Sequence, residues 1–162
     1  MWLDTEHLLL LLLVLVANGA PVLAKRLLPF EPRPLDGGLR LRDGQRLLGG
    51  TKTVRGIVAA LLATVTVSLL LGYGWQLGLV IAVFAMLGDL FSSFIKRRLG
   101  MRSSSMALGL DQVPEALFPL LAARWLVEIA LPEIGALVVL FFVLELLLSR
   151  ILYRLRIRHQ PY

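Results

Sequence analysis

The chain has 162 residues, 57% of them hydrophobic and 17% charged, whereas a soluble domain carries about 45–50% apolar and about 25% charged residues. Five bilayer spans of about 20 residues would leave about 60 residues for everything else, so a second, soluble domain is excluded. Cysteine is absent and 17 Lys+Arg stand against 11 Asp+Glu, which excludes disulfides, thiolate zinc sites and cysteine nucleophiles and makes the placement of the positive charge informative.

Five apolar stretches follow one another: Leu8 to Ala24, Gly56 to Trp75, Gln76 to Ile95, Ala116 to Leu131 and Gly135 to Leu152. Each approaches a membrane-spanning helix in length. The leader Met1 to His7 carries Asp4 and Glu6 and no Lys or Arg, where a secretory signal needs a positive n-region, so the first stretch reads as a retained span. Basic residues fall into three clusters, eight between Lys25 and Arg55, four between Lys96 and Arg102, and four between Arg150 and Arg158, with Arg124 alone elsewhere. Alternate connections thus hold 16 of the 17, and the positive-inside rule puts those connections in the cytoplasm.

The expected fold class is an all-α integral membrane protein, a single membrane domain over residues 1–162 with five transmembrane helices, N-terminus outside and C-terminus cytoplasmic. Its cytoplasmic loops are residues 25–55 and 96–115, and the expected location is the cytoplasmic membrane with the active site facing the cytoplasm. The basic balance is then largely topogenic. Nucleic acid is not an expected partner, because the cytoplasmic segments lack an interleaved aromatic platform and a recognisable reading motif.

In chain order, the first unusual feature is Asn18-Gly19-Ala20-Pro21 inside the first span. Proline removes a backbone donor and glycine weakens the helix, so a kink or break is expected there. Asn18 and freed backbone groups then line a polar pocket near the cytoplasmic face, or Asn18 simply bonds a neighbour in a packed, kinked helix. The next is Gly49-Gly50-Thr51-Lys52-Thr53-Val54-Arg55-Gly56, ahead of the second span. Glycines let backbone amides approach an anion, Thr and Lys donate to it, and a helix N-terminus follows. These are phosphate-binding ingredients without the Walker spacing, and a flexible basic loop that only sets topology has the same composition.

At the cytoplasmic end of the third span, Asp89, Ser92, Ser93 and Lys96 share one helical face, while Phe91 and Ile95 pack elsewhere. An ionisable residue two turns inside a span is functional by default, and Arg97 or Arg98 is expected to anchor the helix at the headgroups. The following loop ends in Asp111-Gln112, with Pro114 and Glu115 opening the fourth span. Asp111 either caps that helix or shares a cation with Asp89, since Mg2+ is typically held by one or two carboxylates with substrate phosphates. Arg124 and Glu128, four apart on the fourth span, are expected to pair; the spacing explains nothing about Glu145. His7 lies outside and His159 in the tail, which gives a histidine base or a serine triad no support.

Taken together, Asn18-Gly19-Ala20-Pro21, Lys52-Thr53-Val54-Arg55-Gly56, Gly88-Asp89, Ser93-Phe94-Ile95-Lys96-Arg97-Arg98-Leu99-Gly100 and Asp111-Gln112 resemble, in order and over nearly the whole chain, the CDP-archaeol synthase family. These are membrane-bound CTP-dependent cytidylyltransferases more distantly related to phosphatidate cytidylyltransferase. Val54 and Leu110 stand where archaeal members typically carry Trp and Phe, and the Ser103-Ser104-Ser105 loop is similar to that of bacterial members.

The resemblance implies transfer of CMP from CTP to a lipid phosphate, giving a CDP-activated lipid and pyrophosphate in phospholipid biosynthesis. The partners are then CTP, a lipid phosphate and the bilayer, and the cofactor is Mg2+ on Asp89 and Asp111. Catalysis falls to Asp89, Asp111 and Lys96, and nucleotide or phosphate binding to Lys52, Thr53, Arg55, Ser93, Arg97 and Asn18. A phosphate monoester is already mostly ionised near neutral pH, its second pKa being about 6, so no dedicated base is needed. A small transporter or channel with a polar path, or a non-catalytic scaffold, is the other reading of the same residues. Sidedness separates them: an enzyme clusters its polar groups at one face, a carrier near the midplane.

Overall fold

A computed structural model of the chain describes residues 4–28, 31 and 33–154. These form five helices, α1 (Thr5–Leu27), α2 (Val54–Leu70), α3 (Gly74–Arg98), α4 (Gln112–Ala123) and α5 (Leu131–Arg154). The only β pairing among the described residues is two isolated bridges, Pro34 with Thr53 and Arg40 with Arg46. Arg156, Arg158 and His159 of the basic tail, and the first residues of the leader, lie outside the described residues.

Three helices, α1, α3 and α5, are long and apolar enough to cross a membrane. At about 1.5 Å per residue, α3 with 25 residues spans roughly 37 Å. The 17 residues of α2 give roughly 25 Å, and the 12 of α4 roughly 18 Å.

The apolar core joins Leu10, Leu13 and Val14 of α1 to Ile81 of α3, Leu120 of α4, and Leu137 and Phe141 of α5. Ala17, Ala60, Ala85 and Met86 form a second, small-residue layer, which lets backbones approach as membrane helices require. Leu12, Leu62, Leu70, Leu87 and Val139 project outward, an apolar exterior suited to acyl chains. Between α2 and α3 the chain reverses at residues 71–73, where Gly72 takes φ 83° and Ser68 donates its hydroxyl proton to the Gly74 carbonyl at 2.7 Å. A Cβ on Gly78 would lie 2.8 Å from the Val65 Cα, so these two helices cross at backbone contact.

Three expectations are corrected. The second span ends at Leu70 rather than Trp75, because that glycine turn closes it. The first span does not break: α1 runs through Pro21, whose ring packs where a Cβ on Gly56 would come within 3.3 Å. The fourth span starts early and stops at Ala123. Trp125, Leu126 and Val127 then donate back to Ala122 and Ala123 in a turn, and Arg124 and Glu128 are exposed. The helical register that would set Arg124 against Glu128 is therefore absent, and neither charge sits inside an apolar helix, where it would be costly.

Candidate active site

Starting from the reversal at residues 71–73, α3 runs about eight residues, or roughly 12 Å, past the start of α2. Lys52, two residues ahead of α2, therefore comes level with Asp89 rather than with the end of α3. Its Nζ donates to Asp89 Oδ1 at 2.5 Å. Burial opposes the Lys52 ammonium, but Asp89, then Glu115, and more weakly Asp111 hold its pKa above the ordinary lysine value.

The second half of the site depends on Gly88. A Cβ there would collide with the Pro114 carbonyl, so only glycine lets the start of α4 lie against α3. That approach brings Lys96 Nζ to Asp111 Oδ1 at 2.6 Å, and Lys96 also donates to the Ser105 carbonyl at 3.1 Å. The turn ahead of α4 is closed by its own motif: Ala107 N–H donates to Asp111 Oδ2 and Gly109 N–H to Gln112 Oε1, both at 2.9 Å. Asp111 thus occupies the N-cap position without capping the helix with its side chain; its carboxylate serves Lys96 and the turn.

Asp89, Ser92, Ser93 and Lys96 do share a face, with Ser92, Ser93 and Lys96 buried and Phe91 exposed. Ser92 donates to the Asp89 carbonyl at 3.0 Å, and buried Ser93 stands between Asp89 and Lys96 along the helical face. Asn18 Nδ2 donates to Val14 O at 2.9 Å and reaches the Glu115 carbonyl at 3.5 Å, so it ties α1 to the first turn of α4. Thr53 caps α2, its Oγ1 accepting from Gly56 N–H at 3.1 Å. Arg55 donates to the Leu28 carbonyl at 2.7 Å and holds the end of α1 to the start of α2. Arg97 is buried and donates to the Arg102 carbonyl at 2.5 Å. Arg98 donates to Asp43 at 2.5 Å and to the Arg46 carbonyl at 2.7 Å. Both arginines, expected in part as headgroup anchors, instead tie down the two polar loops.

Two residues escaped the sequence reading as site residues. Glu115 lies beside Asp89, and Glu145 of α5 lies within electrostatic range of Glu115; the signal is its position four after Asp111, on the same helical face. Asp36 is the other. Its carboxylate accepts from Gly38 N–H and Arg46 Nη2 on one oxygen and from Leu48 and Gly49 N–H on the other. Burial would raise its pKa, but these four donors lower it from 3.8 to about 2. Asp36-Gly37-Gly38 is an Asx-turn signature.

The donor set fits Mg2+ in one particular way. Hard carboxylate oxygens suit it, yet among the described residues no three acidic or histidine side chains gather at metal-ligand spacing. Asp89 and Asp111 could hold such an ion only jointly with substrate phosphates, as one or two carboxylates do elsewhere, and not as an all-protein cage.

Residues 73–162 match the CarS-like family, described as CDP-archaeol synthase. The chain is 35% identical to the CDP-archaeol synthase of Sulfurisphaera tokodaii over 156 residues, covering 91% of this chain and 90% of that protein. Against the CDP-archaeol synthase of Hyperthermus butylicus it is 37% identical over 132 residues, 76% of each. A solved structure described as an intramembrane enzyme for archaeal membrane lipids biosynthesis superposes with a TM-score of 0.74 at 31% identity, covering 89% of this chain and 92% of that one. Shared sequence over nine-tenths of the chain and a shared helical frame lead to one conclusion: this protein belongs to the CarS-like CDP-archaeol synthase family.

Proposed function

We propose that the protein transfers CMP from CTP to a lipid phosphate at the Lys52–Asp89 and Lys96–Asp111 pairs, releasing pyrophosphate. A lipid phosphate oxygen forms the new bond to the α-phosphorus of CTP as the bond to the β-phosphate oxygen breaks, and pyrophosphate leaves with that electron pair. The nucleophile is already ionised near neutral pH, its second pKa being about 6, so no residue need remove a proton. In-line positioning and charge neutralisation supply the rate.

The observation that carries this reading is the gathering of two lysines and two aspartates toward one end of an otherwise apolar bundle. In the free protein each lysine neutralises one carboxylate; with CTP bound, each turns to a phosphate oxygen. Asp89 and Asp111 would then hold Mg2+, which when bound neutralises charge on the phosphates. Ser93 offers its hydroxyl between the two pairs, and Thr53, Arg55, Arg97 and Asn18 act one step back, through the backbone they hold. The cytoplasmic placement of this end, and five crossings with the N-terminus outside, rest on the basic clusters. In that topology α4 and residues 124–130 together return the chain across the bilayer.

A transport reading needs a continuous polar path, but along α1, α3 and α5 the apolar Leu10, Leu13, Ile81, Leu137 and Phe141 intervene between this site and the His7–Glu133 pair at the far end. The test is to incubate purified protein with a panel of lipid phosphates and CTP labelled on either the α- or the γ-phosphate. The reading expects α-label in the lipid and γ-label in pyrophosphate. Absence of α-label from every lipid would reject it.

A further inference from the structure

We propose that Asp36 is the positioning residue of Lys52, holding the loop turn that delivers the lysine to Asp89. The inference rests on the functional reading above for its consequence, but not for its geometry. The Asp36 side chain has no exposed surface, although it lies in a polar loop rather than in the helical core. Its four hydrogen bonds run from 2.7 to 3.2 Å and span two parts of that loop. Two of the donors, Leu48 and Gly49 N–H, stand immediately before the turn that carries Lys52.

The connection to the lysine is short and continuous. Gly49 adopts φ 99°, a conformation that strains any residue with a Cβ, and a Cβ there would also meet Ser103 Oγ at 3.0 Å. Lys52 N–H then closes the turn on the Gly49 carbonyl at 3.4 Å, while the Lys52 carbonyl accepts from Leu35 N–H at 2.8 Å. Val54 N–H donates to the Arg33 carbonyl at 3.1 Å, completing the bridge between Pro34 and Thr53. Residues 33–36 are therefore a splint for residues 48–54, with Asp36 fixing one end and the Leu35–Lys52 bond the other. In Asp36→Asn one carboxylate oxygen becomes an NH2 group facing N–H donors, so two hydrogen bonds are replaced by donor–donor clashes. That is enough to release the turn without unfolding helices to which Asp36 contributes no core packing.

The test reads Lys52 directly. Purified protein in detergent is pulsed with an amine-acylating reagent, and modification of each lysine is measured by mass spectrometry, alongside thermal unfolding and the Kd for CTP. In Asp36→Asn, Lys52 acylation should rise about tenfold, the equivalent of 1.4 kcal/mol, while Lys96, paired with Asp111 on the other side of the site, keeps its wild-type rate. Gly49→Ala, which strains the same turn and leaves Asp36 in place, should do the same. The Kd for CTP should rise in Asp36→Asn but not rise further when Asp36→Asn is added to Lys52→Ala, because residues acting through one another are non-additive. Unchanged Lys52 acylation in both variants, an equal rise at Lys96, or Asp36→Asn and Lys52→Ala losses that multiply would overturn the assignment. A wild-type protein that binds no CTP, while Asp36→Asn still raises Lys52 acylation, would reject the functional reading and uphold this one.

Discussion

Lys52 and Asp89, 37 positions apart in the chain, meet at 2.5 Å, one from the loop ahead of α2 and the other from well inside α3. The contact exists because α2 is short enough to start at the depth of Asp89. Each side chain keeps about a fifth of its surface exposed, 22% for Lys52 and 21% for Asp89, so the pair is shielded from water without being sealed from a ligand. A second pair, Lys96 with Asp111, forms about two turns further along α3, where Gly88 admits the start of α4.

Removing one member of a buried pair leaves an uncompensated charge, at about 3–5 kcal/mol when burial is complete. With residual exposure at both ends the effect is smaller but keeps its sign. Lys52→Ala should therefore lower the thermal stability of the detergent-solubilised protein, and adding Asp89→Asn should restore part of it. Equal stability of Lys52→Ala and the double variant would show that Asp89 does not depend on Lys52 for its charge.

Gly88 is predicted to be intolerant for a reason of contact rather than conformation. Its missing Cβ would overlap the Pro114 carbonyl, and forced overpacking costs about 1–3 kcal/mol or more. Gly88→Ala should both destabilise the fold and separate Lys96 from Asp111, with turnover falling further than stability. Gly135, with nothing within 4 Å of its Cβ position, provides the control: Gly135→Ala should be neutral or slightly stabilising, because alanine is the better helix former.

Much of this arrangement was legible in the sequence, and the part that was not has a physical cause. Hydrophobic runs located all five helices, and the face from Asp89 to Lys96 followed from helical spacing alone. The end of α2 did not, because Leu71-Gly72-Tyr73 is apolar and only the backbone conformation of Gly72 stops the helix. The shortness of α4 was hidden because Trp125, Leu126 and Val127 continue an apolar run after the helix has ended. Pairing of Lys52 with Asp89 depends on relative helix lengths, which no local pattern records. The resemblance implies phosphate binding by Arg55 and Arg97; the loop carbonyls to which they donate are tertiary contacts that no local pattern records.

Asp36 also predicts a pH dependence. Its folded pKa, about 2, lies below the unfolded 3.8, so its stabilisation of the loop is complete above the unfolded value and is lost as pH falls through the folded one. Hydrogen exchange at the Leu48 and Gly49 amides should be insensitive to this group above pH 3.8 and lose protection as pH drops toward 2. In Asp36→Asn, that acid-induced step should vanish. Its persistence in the variant would assign the transition to another carboxylate.

The proposed orientation rests on the basic clusters and is open to direct measurement. Cysteines introduced at Arg40 and Arg102, both exposed on the basic loops, should be protected from an impermeant thiol reagent in intact cells, while one at Tyr73 should react. The reverse pattern would turn the protein over and place its site outside.

The most direct measurement of the central claim is turnover of CTP and a lipid phosphate by Asp89→Asn, Asp111→Asn and the double variant, each checked for folding by thermal unfolding. Asparagine keeps the shape of the side chain and removes its charge. Each single variant should lose about a hundredfold or more in turnover, and the double variant should be hardly worse than either, because groups that act as a unit are strongly non-additive. Near-wild-type turnover in either folded single variant, or losses that multiply in the double, would contradict a shared role for the two aspartates at one site.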